Sequence, residues 1–270
     1  MTWLDDLDRE LRRSRVPSRR RRRIGLELAD HLACDPEAAE RLGDPSALAR
    51  RFADELGTVF ARRAALAGFL ALVPLGILFA ALFALVSTAN VEPGVTILLV
   101  CGVQLAFVGG TLGLVRAWRL RDAVVISSAE ARVLHRRAAL GLAGGAVTVA
   151  ALAAPASGRY GGAELSHPGL AWTTVAIGAA SVAAGALVLF RATRFRPVAD
   201  GAAADLSFDA GLDLDPWLLA SWIAGAVALC IVVAGVAQGD PIDGLVRAVG
   251  DGLLCLAGFA VLGRPLGLRR

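Results

Sequence analysis

Residues 169–196 read GLAWTTVAIGAASVAAGALVLFRATRFR: twenty-two positions without a charge, then three arginines within six. At a rise of 1.5 Å per residue, roughly 20 apolar residues span the hydrocarbon core of a bilayer. Five other stretches have the same character. The six apolar blocks fall at about 64–87, 94–115, 138–156, 169–190, 216–237 and 245–263. The third contains Pro155 and the sixth carries charge, so their edges are the least sharp.

The whole chain fits that reading. It has 270 residues, 56% hydrophobic and 19% charged, with a mean hydropathy of +0.60. A soluble domain is nearer half apolar and a quarter charged. An ordinary soluble enzyme, a disordered chain and a secreted disulfide scaffold are excluded. Every one of the 28 basic residues is arginine, a bias typical of GC-rich bacterial genomes. The net charge of +4 says little, because the arginines are clustered. Cys34, Cys101, Cys230 and Cys255 lack metal-site or disulfide-framework spacing. The acidic, amphipathic start MTWLDDLDRE is not a signal peptide.

Arginine placement predicts orientation. The connections after blocks 2 and 4 carry Arg116, Arg119, Arg121, Arg132, Arg136 and Arg137, then Arg191, Arg194 and Arg196. Arg264, Arg269 and Arg270 close the chain, whereas the alternate connections hold at most one arginine each. The positive-inside rule then puts both termini in the cytoplasm. The fold class expected is an all-α integral membrane protein with six transmembrane helices. A small cytoplasmic head occupies residues 1–60 and the membrane body residues 61–270.

The flanks of the blocks repeat. Arg62-Arg63-Ala64-Ala65-Leu66 recurs as Arg136-Arg137-Ala138-Ala139-Leu140, and Arg116-Ala117-Trp118-Arg119-Leu120-Arg121 as Arg191-Ala192-Thr193-Arg194-Phe195-Arg196. Three parallel two-helix hairpins would explain this. Chance matching in a chain so rich in Arg, Ala and Leu is the bland alternative.

The head reads as four short helices. Thr2 caps the first, which carries Trp3, Leu4, Leu7 and Leu11 on one face. Arg15-Val16-Pro17-Ser18 breaks it, and Ile24, Leu28 and Leu32 mark the second. Asp35-Pro36 and Asp44-Pro45 are start signals for the third and fourth, with Asp as N-cap and Pro at the first helical position. Gly43 ends the third. Leu48, Phe52 and Leu56 form the stripe of the fourth, which Gly57 ends or bends. Trp3, Leu7, Leu11, Ile24, Leu28, Leu32, Leu48 and Phe52 are the expected core. Ser127-x-x-Glu130 is a capping box that starts the third membrane helix on the cytoplasmic side.

Candidate sites are few. Arg19, Arg20, Arg21, Arg22 and Arg23 open the second helix, where the dipole disfavours cations. Asp5, Asp6, Asp8 and Glu10 of the first helix, anionic lipid headgroups or an acidic partner could compensate them. Direct nucleic-acid binding is not expected, since the head also carries twelve acids. Asp251 is the one carboxylate inside a block. It reads as an interfacial pair with Arg247 or, less commonly, as an ion or proton site. Gln104 is polar at mid-span, where a helix–helix hydrogen bond is commoner than a substrate contact. Gly109 and Gly113, and Gly141 and Gly145, allow close helix packing, with homodimerisation the sharper alternative. His31 and Cys34 lack the further cysteine that a zinc site of this kind needs. Asp205 to Asp215 is an acidic loop or interfacial helix without the calcium-loop pattern. No nucleophile–base set or nucleotide-binding loop appears, and neither a cofactor nor a metal is expected.

Over residues 2–58 the head resembles the HAAS-type helical domain, also met as a prefix domain of bacterial permease-like proteins. The residues carrying the likeness are Trp3-Leu4, Leu7, Leu11, Arg15-Val16-Pro17, Arg23-Ile24, Asp30-His31-Leu32 and Leu42-Gly43-Asp44-Pro45 with Leu48-Ala49. The resemblance implies a cytoplasmic domain on a multi-span protein, often encoded beside a PadR-type transcriptional regulator. The first expectation is therefore a non-enzymatic membrane sensor or regulator whose head holds such a partner. A permease or transporter subunit with a regulatory prefix is the alternative, and an integral-membrane enzyme ranks third.

Overall fold

The computed structural model describes residues 2–35, 37–85, 93–156, 168–195, 197 and 241–266, with residues 221, 224–225, 228–229, 231–232 and 236 singly. Eight helices are delimited: α1 Trp3–Arg13, α2 Ser18–Cys34, α3 Ala38–Leu42, α4 Pro45–Leu85, α5 Pro93–Arg119, α6 Ser128–Ala156, α7 Pro168–Thr193 and α8 Pro241–Leu266. Among the described residues there is no strand. Five helices, α4 to α8, are long and apolar enough to cross a membrane. The chain is thus all-α and of the multi-pass membrane class. The fifth apolar block, 216–237, and the acidic segment 205–215 lie largely or wholly outside the described residues.

The head forms for the reasons its sequence suggests. Thr2 and Asp5 make a reciprocal capping box at α1. The turn after α1 is a Schellman motif: the Val16 N–H donates to Leu11 O at 3.0 Å and the Arg15 N–H to Arg12 O at 2.9 Å. Arg15 occupies the left-handed position at φ 58°, where glycine is usual. That conformation costs an L-residue on the order of 1 kcal/mol. Leu7, Leu11, Val16, Ala49 and Leu56 make a buried core, with Trp3, Ile24, Leu28, Leu48 and Phe52 packed on it. Leu32 is half-buried and lies outside that cluster. No residue of α2 is fully buried, so this helix rests on the core rather than completing it.

Two boundaries differ from the sequence expectation. α3 starts at Ala38 behind Glu37; Asp35 instead caps the end of α2 and accepts the Glu37 N–H at 3.1 Å. More consequentially, Gly57 does not end a helix. α4 runs unbroken for 41 residues from the head core into the apolar body. A single glycine costs a helix interior only about 1 kcal/mol, which the packing on both sides of Gly57 offsets. Pro74 also lies inside α4.

The membrane helices pack through small residues. The most extensive pairing is α5 on α6, followed by α4 on α7. α6 also meets α4 and α7, while α8 rests on α5. Half of the apolar window of α6 is buried against 17% of that of α7, which makes α6 the central helix. Large side chains such as Leu70, Ile77, Phe107, Leu187, Val249 and Leu253 point outward, where lipid is the solvent.

Candidate functional site

The arginine-rich ends of four helices and the head meet on one face. α4 arrives there with its N-terminal half, α5 and α7 with their C-termini, and α6 with its N-terminus. Ser127 and Glu130 cap α6 reciprocally, at 3.2 and 3.4 Å. Beneath the head core lies a second buried cluster: Ala61 and Ala65 of α4, Ala117 of α5, Leu120 and Ile126 of the connection, and Ala131 and Leu134 of α6. Leu56 belongs to the first cluster and Ala61 to the second. The two cores therefore share one helix within about a turn and a half.

Between them the contacts are specific. Thr58 is fully buried; its Oγ1 accepts the Ile126 N–H at 2.9 Å and donates to Asp54 O at 2.8 Å. Arg62 donates to the carbonyl of Arg121 at 2.7 Å and to that of Ala123. Phe60 stacks on Phe195, with ring centroids 4.7 Å apart. Pro197 lies so near Gly57 that a Cβ there would stand 2.5 Å from the proline nitrogen. Sequence reading missed this junction. In the sequence its only trace is the change from a charged head to an apolar body near residue 60.

The arginine run is distributed rather than gathered into one site. Arg21 reaches Asp8 of α1 at 3.3 Å, and Arg23 pairs with Glu27 one turn on at 2.7 Å. The Glu27 carboxylate holds the Arg23 guanidinium above its ordinary range. Arg19, Arg20 and Arg22 are exposed. At the helix starts, hydrogen bonds from Thr2 hold the Asp5 carboxyl below the usual carboxylate range. The Ser46 hydroxyl and then its N–H do the same for Asp44.

The glycines face inward. A Cβ on Gly109 would stand 2.7 Å from Gly141 N, and one on Gly145 2.6 Å from Leu72 Cδ2. Gly113 lies against Arg137 and Ala65. These faces are used within one chain. Gly102 and Gly144 extend the same α5–α6 seam. Two arginines that the sequence presents as solvated topology signals, Arg116 and Arg137, are buried at its end. Arg137 Nη1 donates to Leu112 O at 3.4 Å.

Gln104 sits where α5 meets α8. Its Oε1 would be 2.5 Å from a Cβ at Gly258, and Cys255 lies beside its amide. Asp251 is one turn before Cys255, and Arg247 one turn earlier again acts attractively on it. The structure thus brings Gln104 and the Asp251 turn to one helix contact. His31 and Cys34 are both exposed. Among the described residues no group of three His, Cys, Asp or Glu side chains is placed to hold a metal ion. Comparison with protein-family models, characterised proteins and solved structures finds no match.

Proposed function

We propose that the chain is a non-enzymatic regulator of the bacterial cytoplasmic membrane. Its head holds a cytoplasmic partner, such as a PadR-type transcriptional regulator, according to the state of the membrane body. The observation that carries this reading is α4. At 41 residues it is about 60 Å long, and it contributes Ala49 and Leu56 to the head core before entering the apolar body. A tilt or axial shift of its membrane half therefore reaches the head without passing through a hinge. The modest head core leaves a domain that a partner can repack at small cost. A transport role has less behind it, since α4 continues past Pro74 and transporter sites favour broken helices.

The same reading takes six spans as three parallel hairpins, with the arginine-rich face in the cytoplasm. Exchanging the first two hairpins turns the α5–α6 pairing into the α7–α4 pairing, and these are the two most extensive. Reporter fusions at Asn90, Gly161 and Gly239 are expected to read outside, and at Ser127, Ala203 and Arg270 inside. One reversed site breaks the topology. For the partner, the test is affinity purification from native membranes of the full chain and of one lacking residues 1–44. A cytoplasmic regulator is expected with the full chain alone. Identical proteins with both would remove the head as the partner-binding element.

A further inference from the structure

The turn after α1, the second and third turns of α4 and the end of α7 enclose a cleft of about 450 Å³. Four arginines, Arg13, Arg15, Arg50 and Arg194, line it, and no acid is among the lining residues. Its apolar part is Val16, Ala53, Leu56 and Phe195. Arg13 is paired with Glu10, and Arg194 lies over the Phe190 ring at 4.6 Å. Arg50 acts on Asp44.

We propose that this cleft binds a phosphate group attached to an apolar body. A concavity lined by arginines with no acid in its lining attracts anions. Guanidinium forks match phosphate oxygens in pairs. The Val16, Ala53, Leu56 and Phe195 part of the lining suits the apolar remainder of the ligand. A second observation points the same way. Arg15 is the one non-glycine residue with positive φ among the described residues. Glycine would fit that backbone without strain, yet the position holds a side chain that lines the cleft. Strain kept at such a point is a mark of a binding site.

The phosphate has two available sources. The cleft adjoins the end of an apolar helix, α7, so an anionic lipid headgroup can reach it. It also opens beside the head, so a soluble phosphate ester can. Either ligand would tie the α1 turn to the end of α7. The site does not depend on the identity of any protein partner.

The full chain is placed in nanodiscs of phosphatidylcholine alone, with hexyl phosphate added, and in nanodiscs containing phosphatidylglycerol. Thermal unfolding and direct ligand binding are then read. Protection by phosphatidylglycerol assigns the lipid source, and protection by hexyl phosphate in phosphatidylcholine assigns the soluble one. Arg15→Gly combined with Arg50→Gln is expected to weaken binding about tenfold or more. Arg15→Gly by itself should raise the unfolding temperature of the ligand-free chain while weakening binding, an outcome that damage to the fold cannot produce. Arg20→Gln with Arg22→Gln removes the same charge outside the cleft and should leave binding unchanged. The proposal is overturned if neither phosphate source protects, if the cleft variants bind as well as the parent, or if the Arg20 and Arg22 variant loses as much.

Discussion

Replacing Gly57 by alanine sets helix propensity against packing, and the structure decides the sign. In the interior of an isolated helix, Gly→Ala gains about 1 kcal/mol. At Gly57 the added methyl would stand 2.5, 2.7 and 3.0 Å from the N, Cδ and Cα of Pro197. Attractive contact between carbon atoms begins near 3.5 Å. Two of those atoms belong to the backbone, so no rotamer change relieves them. Overpacking of this kind costs about 1–3 kcal/mol. The expected net effect is a loss of roughly 0–2 kcal/mol, felt where the segment after α7 meets α4. Gly25, inside α2, is the control: nothing lies within 4 Å of its added Cβ. Gly25→Ala should stabilise the head by up to about 1 kcal/mol. The assay is the urea midpoint for proteolysis of the head in micelles, parent against each variant. Opposite signs are expected. If both alanines stabilise equally, the approach of Pro197 to Gly57 is wrong.

Other substitutions test the remaining contacts. Thr58→Val keeps the shape but leaves the buried Ile126 N–H without its acceptor, a loss of about 1–3 kcal/mol in urea titration; Thr58→Ser should restore most of it. Leu11→Ala, at 1% exposure in the head core, should cost about 2–5 kcal/mol, whereas Leu26→Ala at 67% exposure should stay within about 0.5 kcal/mol. The Asp5 and Asp44 carboxyls are held below the usual carboxylate range in the folded state, so their contribution is present above the ordinary carboxyl range near pH 4 and is lost as pH falls through the folded values. The head should lose stability on acidification below about pH 4, read as a falling urea midpoint for its proteolysis, and Asp5→Asn with Asp44→Asn should flatten that dependence.

Much of this architecture is written locally. Thr2, Gly43, Asp44-Pro45 and Ser127-x-x-Glu130 mark helix ends because each signal acts within about one turn. The apolar blocks mark membrane helices because length and charge exclusion are also properties of a single segment. What escaped is what depends on a second segment. Gly57 reads as a stop on its own, and only the nearness of Pro197 explains a glycine within a continuous helix. Arg116 and Arg137 read as solvated charges until α5 and α6 pack and bury them. Arg15 reads as part of a break, and only its backbone geometry and the cleft around it distinguish it from the neighbouring arginines.

The continuity of α4 also bears on how independent the head can be. A domain of about sixty residues buries too little surface to be robust alone, and α2 contributes no fully buried residue to this one. Yet the helix that completes the head core is anchored at Thr58, Ala61 and Ala65 in a second core built from α5, α6 and their connection. Part of the head's order is therefore supplied by the membrane body, which holds the helix that α1 packs against. Loosening of the junction removes that support first from α1 and α2, which have no anchorage of their own in the body's core. Removal of the membrane body should accordingly destabilise the head more than the loss of direct contacts between them accounts for. This is the energetic form that coupling between a membrane event and the head would take here.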